Sequence, residues 1–359
     1  MIEHKRIKGL SFDDVLLPPV YSDIRSRMEP DTETWIGPLK LQIPFISSPM
    51  DTVTESTMAI EIGRLGGLGI IHRFMEPEDQ AAECQKVRDA GQYVVPAIGI
   101  GEAERIRLKV LMGSCSLDMV SVDVANGHSI LMKEMIEWIR EEFPGLPIMA
   151  GNIATFHGYE FMYELGVDAV RVGIGGGSIC KTRIQTGFGV PTLSSVVDCA
   201  RARAKLKYYN KHRKGEVFPS IIADGGIRYP SDVVKSIIGG ADAIMCGGVF
   251  AGTDESPSQL VEIDGTMKKA YRGMASAAVQ KERRGGMKKG TCSEGVSTHI
   301  PYVGSLDSVL NGDDGFVGGL MSGMSYANAR TISELQAFDD YIVITQSGQN
   351  ESHAYGTKK

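Results

Sequence analysis

Paired cysteines are missing from this chain. Its six cysteines, at positions 84, 115, 180, 199, 246 and 292, include no Cys-x-x-Cys pair and no regular spacing. That leaves no zinc ligand set to read from spacing, and it favours free thiols in a reducing compartment over a disulfide framework. Long hydrophobic runs are missing too. No stretch approaches the ~18 apolar residues of a membrane span, and the opening "MIEHKRIKGL" has no apolar signal core. The expectation is a cytoplasmic protein with no membrane partner. Net positive charge is also absent: the formal charge is −6 and the pI about 5.7. Without a broad basic footprint a nucleic-acid partner is not expected. The one basic cluster, Lys281, Arg283, Arg284, Lys288 and Lys289, is local and reads as a solvated loop.

Glycine is abundant, with 43 residues, and it gathers at the ends of apolar runs. Eight such runs recur: "IPFISS" (43–48), "GLGIIH" (67–72), "YVVPAIGI" (93–100), "MVSVDV" (119–124), "PIMAGN" (147–152), "AVRVGI" (169–174), "SIIADGG" (220–226) and "AIMCGG" (243–248). Amphipathic stretches such as "ILMKEMIEWIREEF" and "SDVVKSIIGG" lie between them. Buried parallel strands read as continuous apolar runs, and strand-plus-helix units need about this spacing. Eight units predict a single (β/α)₈ barrel, with a doubly wound sheet as the competing arrangement. Two places break the rhythm: residues 174–190 after the sixth strand and 252–305 after the eighth. The first predicts a mobile cysteine-bearing loop, the second a long flap, all within one domain spanning 1–359.

In such a barrel, chemistry sits where the strands end. The glycine pairs Gly225-Gly226 and Gly247-Gly248 follow strands seven and eight, where bare backbone N–H groups can approach a phosphate; the alternative is a pair of tight turns. Asp224 suits either a sugar diol or a helix cap. Cys180 is the most telling residue. It follows "GIGGGSI" and precedes Lys181 and Arg183, a setting of positive charge and open backbone that favours a nucleophilic thiolate over a buried structural thiol. The carbonyls of Gly175, Gly177 and Cys180, all in one loop, form a candidate ring for a monovalent cation. Thr182 and Glu294 gain meaning only if the flap folds over Cys180.

Long segments of the chain resemble the family of IMP dehydrogenases and GMP reductases. They include "SFDDVLLPP", "SSPMDTVTE", "GGLGIIHR", "DVANGHS", "MAGNIAT", "GIGGGSICKTRIQTGFGVP", "ADGGI", "CGGVFAG", "YRGM", "SEGV", "PYVG" and "GGLMSGMSYANA". The resemblance implies a (β/α)₈ barrel, usually in a homotetramer, that binds a purine nucleotide monophosphate and a nicotinamide cofactor. It also implies a cysteine that adds to C2 of the purine, a position that Cys180 occupies. Thr182 and Glu294 would relay a proton. Nucleotide contacts would come from Asp224, Gly225, Gly226, Gly247, Gly248, Gly273, Met274, Ala275, Ser293 and Gly295. Contacts to NADPH or NADH would come from Ser26, Arg27, Arg73, Asp123, Val124, Ala125, Ile174, Gly175, Ser322 and Ser325. Arg183 would join the cation-binding carbonyls, with K⁺ the expected ion.

Within the family the chain looks most like a GMP reductase. "GIIHRFM" leads directly into the next helix, so the regulatory CBS insert of most IMP dehydrogenases is absent. The segment "KERRGGMKKGTC" has no Arg-Tyr pair, and "DVANG" and "MAGN" are reductase-like. Against this, "YRGM" and "SGMSY" resemble the dehydrogenases. Arg73, Gly176, Gly290 and Thr291 stand where reductases usually carry lysine, proline, tyrosine and arginine. The expectation is an NADPH-dependent GMP reductase, with a CBS-less IMP dehydrogenase and a non-catalytic nucleotide-binding regulator as alternatives.

Overall fold

The structure is a computed structural model that describes residues 8–210, 217–277, 279, 281 and 292–352. Arg283, Arg284, Lys288, Lys289, Gly290 and Thr291 lie outside the described residues. Eight parallel strands close a barrel: β1 (Phe45–Ser47), β2 (Leu68–Ile71), β3 (Val95–Ile98), β4 (Val120–Asp123), β5 (Ile148–Ile153), β6 (Ala169–Val172), β7 (Ser220–Asp224) and β8 (Ala243–Cys246). Each of the eight apolar runs contributes one strand, and consecutive strands are neighbours. β8 returns to β1 with Ile244 opposite Phe45 and Cys246 opposite Ser47. No helix among the described residues is long and apolar enough to cross a membrane.

The strands read as unbroken apolar runs because both of their faces are buried. One face points outward to the helices. The segment Ile130–Glu142 illustrates why those form: the Ser129 hydroxyl accepts from the Met132 N–H at its start, and Met132, Met135, Ile136 and Ile139 recur on one buried face. The other face fills the barrel with Ile46, Leu68, Ile70, Val95, Ala97, Met119, Met149, Ala169, Ile222, Ala243 and Met245. A hairpin ahead of β1, Thr34–Ile36 paired with Leu39–Leu41, closes the barrel's lower end with Ile36, Leu39 and Leu41.

Side chains alternate faces along a strand, so the residues two positions beyond this apolar packing also point inward, one layer higher. Counting up from Met119 through Ser121 gives Asp123. The same step from Ala169 gives Arg171, and from Ile222 it gives Asp224. The barrel is therefore apolar below and charged at its upper rim, where the strands end.

The excursion after β8 is more ordered than its polar sequence suggests. Leu260–Ile263, Thr266–Arg272 and Ser297–Pro301 form a three-stranded antiparallel sheet. Its root is fixed by two cations. Lys269, 4% exposed, donates to the Thr253, Asp254 and Ser256 carbonyls at 2.7, 3.3 and 2.8 Å. Arg272 donates from Nε and Nη2 to the Asp51 carboxylate in the β1 loop, at distances down to 2.6 Å. The chain then resumes as the helix Phe316–Tyr326.

Candidate active site

A cavity of about 1340 Å³ opens over the upper rim of the barrel, bounded by the β6 loop, the β8 glycines and the excursion. Cys180 lines it and is half-buried, whereas Cys84, Cys115, Cys199 and Cys246 are buried in the core. Of these five thiols, Cys180 is the one that reaches the cavity.

The glycines of the β6 loop are required locally. At Gly176 a Cβ would lie 2.2 Å from Thr192 Oγ1, so a larger residue there requires that hydroxyl to swing away. Gly175 has φ +83°, and a Cβ there would meet the Arg183 side chain at 2.6 Å. The loop folds back on Arg183, whose Nη2 donates to the Val190 carbonyl at 2.6 Å. Arg183 thus closes the base of the loop, and its charge is engaged there.

The flap arm meets the loop. Lys181 N donates to the Glu294 carbonyl at 2.7 Å, and Val296 N donates to the Ile179 carbonyl at 2.9 Å. Glu294 N in turn donates to the Ala275 carbonyl, and Gly273 N to the Val296 carbonyl. This lacing lays the Glu294 side chain over Thr182. The Cys180 thiol donates to Thr182 Oγ1 at 3.2 Å, and that hydroxyl donates to Glu294 Oε2 at 2.7 Å. Thiol, hydroxyl and carboxylate form one continuous line along which a proton can pass.

Beneath the cavity lies a compact ion network. Arg171 is 6% exposed. Its Nη1 pairs with Asp123 at the end of β4, while Nη2 and Nε donate to Asp224 Oδ2 at the end of β7, at 2.8 and 3.3 Å. Asn152 Nδ2 donates to the same Asp224 oxygen at 2.7 Å. Two carboxylates hold the guanidinium in its charged form against its burial. Asp224 is therefore no helix cap: at the next helix, Pro230–Ile238, Asp232 accepts from Arg228 N and Tyr229 N. Arg171 went unnoticed as a functional residue in the sequence, although a lone arginine inside "AVRVGI" was the available signal.

Tyr271 and Ser178 were also missed. The Tyr271 phenol is buried and hydrogen-bonded to Ser178 and to the Gly248 backbone; burial pushes it up to about 12. A Cβ on Gly247 would sit 2.7 Å from that hydroxyl, so the glycine leaves room for the ring.

The remaining expected residues divide into groups. Gly225, Gly226, Gly247, Gly248, Gly273, Met274, Ala275 and Gly295 line the cavity. Ser293 is not among the residues that line it; its hydroxyl lies 3.3 and 3.1 Å from the Ala275 and Gly295 carbonyls, one of which takes its proton. Arg73, Asp123, Val124, Ala125, Ile174 and Gly175 line the same cavity. The Arg73 guanidinium lies 4.9 Å from the Phe74 ring and pairs with Glu104. Ser26, Arg27, Ser322 and Ser325 lie elsewhere. Ser322 lines a second cavity of about 440 Å³ that shares no residue with the first. The Ser325 hydroxyl donates to the Ser322 carbonyl, and Arg27 lies 5.9 Å from the ring of Tyr326, which borders the same cavity. Of the carbonyls proposed for a cation, that of Gly177 accepts from Cys180 N and that of Arg183 from Gly187 N. Each keeps one lone pair.

A family model described as the IMP dehydrogenase / GMP reductase domain matches residues 9–355. The chain belongs to that family. Its members are oxidoreductases of purine metabolism that use a nicotinamide cofactor. Among its relatives are an inosine-5'-monophosphate dehydrogenase of Cryptosporidium parvum, 34% identical over 399 positions, and one of Aquifex aeolicus, 31% identical over 488. These alignments cover 97% and 99% of this chain and 95% and 96% of the relatives. A GMP reductase of Phytophthora infestans is 34% identical over 348 positions, covering 94% of this chain and 91% of the relative. The Aquifex alignment is far longer than the 359 residues present here, so that relative carries a long insertion which this chain lacks.

Proposed function

We propose that the protein is a GMP reductase that converts GMP to IMP and ammonia with NADPH. The observation that carries this reading is the contact of the Glu294 carboxylate with Thr182, in line with the Cys180 thiol. Deamination needs a proton delivered to a departing amine, and a carboxylate can take one from the thiol and give it up again. The cavity fits a nicotinamide beside a nucleotide: it is large, and Arg73, Asp123 and the Val124–Ala125 backbone border it away from the Gly247–Gly248 end.

In this reading the phosphate lies at Gly225-Gly226, Gly247-Gly248 and Tyr271, and the ribose diol donates to Asp224. Cys180 sulfur bonds to purine C2, and its proton passes through the Thr182 hydroxyl to Glu294. Glu294 returns that proton to the 2-amino group, the C2–N bond breaks and ammonia leaves, so that C2 remains joined to sulfur as a thioimidate. When bound, the reduced nicotinamide supplies the hydride that C2 takes up. The C2–S bond then breaks, the electron pair returns to sulfur, and IMP is released. The flap arm excludes water from the thioimidate and so guards against its hydrolysis. A monovalent cation, K⁺, held by the carbonyls of Gly175, Gly177, Cys180 and Arg183 belongs to the same proposal. In this proposal Ser26, Arg27, Ser322 and Ser325 serve the cofactor from a neighbouring chain, as in a homotetramer, because none of them lines the large cavity of its own chain.

The test is incubation with GMP and NADPH, following loss of reduced-cofactor absorbance and release of ammonia. Turnover of IMP with NAD, and none of GMP, would assign the chain to the dehydrogenases, a reading supported by the names of several relatives and by "YRGM" and "SGMSY". Nucleotide binding with neither turnover would leave a regulatory protein.

A further inference from the structure

We infer that Arg171 is a positioning residue shared by both halves of the cavity, its one guanidinium setting the nucleotide-side Asp224 and the cofactor-side Asp123 together. This rests on the reading in which Asp224 meets the ribose and Asp123 faces the cofactor. Three observations support it. Asp123 and Asp224 end β4 and β7, strands that are not neighbours, and Arg171 on β6 contacts both. The arginine is 6% exposed and points up from the apolar barrel interior, so it has little access to water with which to replace either carboxylate. Its donors are divided: Nη1 serves Asp123, whereas Nε and Nη2 serve a single oxygen of Asp224, which also takes the Asn152 amide. Asp224 Oδ1 takes none of these bonds.

A charge shared in this way links the two sides. If Asp224 is made neutral, the guanidinium spends its full attraction on Asp123, which becomes a weaker acceptor for anything on the cofactor side. The converse holds for Asp123. If the guanidinium is removed, two carboxylates remain at one rim without a counter-charge. A lysine cannot substitute, because a single ammonium on a shorter arm lacks the fork that reaches both partners.

The experiment measures dissociation constants of GMP and of NADPH, by calorimetry and by cofactor fluorescence, for the full-length protein and its Asp123→Asn, Asp224→Asn, Arg171→Met and Arg171→Lys variants. The rate of Cys180 alkylation and the melting temperature report whether the loop and the fold are intact. The expected result is a cross effect: Asp224→Asn weakens NADPH, and Asp123→Asn weakens GMP, each by about threefold to tenfold, with Cys180 alkylation unchanged. Arg171→Met weakens both ligands, and Arg171→Lys recovers at most one of them. Should Arg171→Met fail to fold, the two asparagine variants decide alone. Each asparagine variant weakening only its own ligand would overturn the shared role while leaving the site assignment standing. Asp224→Asn that leaves GMP binding untouched would instead overturn the assignment on which it rests.

Discussion

The floor of the cavity and its lid are held by different means. The floor is Asp123, Arg171, Asp224 and Asn152, four side chains rooted in barrel strands whose backbones are paired on both sides. The lid is the β6 loop with the flap arm, tied by a few backbone hydrogen bonds and the single Thr182–Glu294 contact. The floor can fix a ligand but carries no nucleophile. In the proposed reaction the lid carries the nucleophile and its proton path: Cys180 and Thr182 meet Glu294 only because two segments more than a hundred residues apart in sequence come together. The proposed reaction would thus draw positioning from the barrel strands and bond making from the loop and flap arm, a division suited to admitting two ligands and then excluding water.

The sharpest way to break this contrast is to remove the sulfur. Cys180→Ala should lower GMP turnover by about 10⁴-fold or more, since covalent catalysis has no substitute in the cavity. GMP binding and the melting temperature should stay close to those of the parent protein, because floor and barrel are untouched. Weakened GMP binding of comparable size would mean that floor and lid are not separable. Next comes Glu294→Gln. The amide keeps the shape and can still accept from Thr182, but it carries no proton, so turnover should fall by about 10²–10⁴-fold. Cys180 should still be alkylated by iodoacetamide, and undiminished ammonia release in the Gln variant would remove Glu294 from the mechanism.

How much of this was legible in the sequence follows the same division. The barrel was, because strands buried on both faces must be continuous apolar runs, and all eight stand out in the chain. The lid was half legible: "GGGSICKT" announces a presented thiol, but nothing local in "TCSEGV" says that Glu294 folds onto Thr182. The small sheet of the excursion was hidden, since "LVEI" and "TMKKAYR" are partly exposed and carry charges, and the second buries a lysine, Lys269, so no apolar run marks them. The plug hairpin "TWIGPLKL" was hidden by its brevity. In the floor, Asp123 and Asp224 were marked in the sequence as site residues, whereas Arg171 looks like an isolated charge in a strand until the closed barrel turns it inward between them.

The root of the lid gives a smaller effect, on stability. Lys269 offers its ammonium to three carbonyls that have no other donor of its strength, and burial lowers its proton affinity from the ordinary lysine value. Lys269→Met fills similar space but leaves those carbonyls facing a methyl group. The expected loss is about 2–4 kcal/mol, seen as a melting temperature lower by several degrees. Binding of GMP to the floor should be retained, and if it is lost with the melting temperature unchanged, the excursion acts on the nucleotide directly.

The smallest effect tests access rather than chemistry. Cys115 has its thiol drawn down to about 7 by a hydrogen bond from Cys84 and by the nearby Arg88, yet it is only 9% exposed. Cys84, Cys199 and Cys246 are buried, and burial pushes the Cys199 and Cys246 thiols up. Labelling rate is the product of thiolate fraction and access. With iodoacetamide at pH 8, mass spectrometry should therefore find Cys292 and Cys180 modified first and the buried Cys115 later. Lowering the pH through about 7 protonates Cys115, so its labelling should rise with pH and level off above that point. GMP should slow the labelling of Cys180 by about tenfold, the occupancy effect of a ligand well above its dissociation constant. It should leave Cys292, which is exposed outside the cavity, unchanged. Protection of both thiols together would show that the nucleotide closes the whole lid rather than covering one sulfur, and the division between a fixed floor and a closing lid would then extend to the flap as one unit.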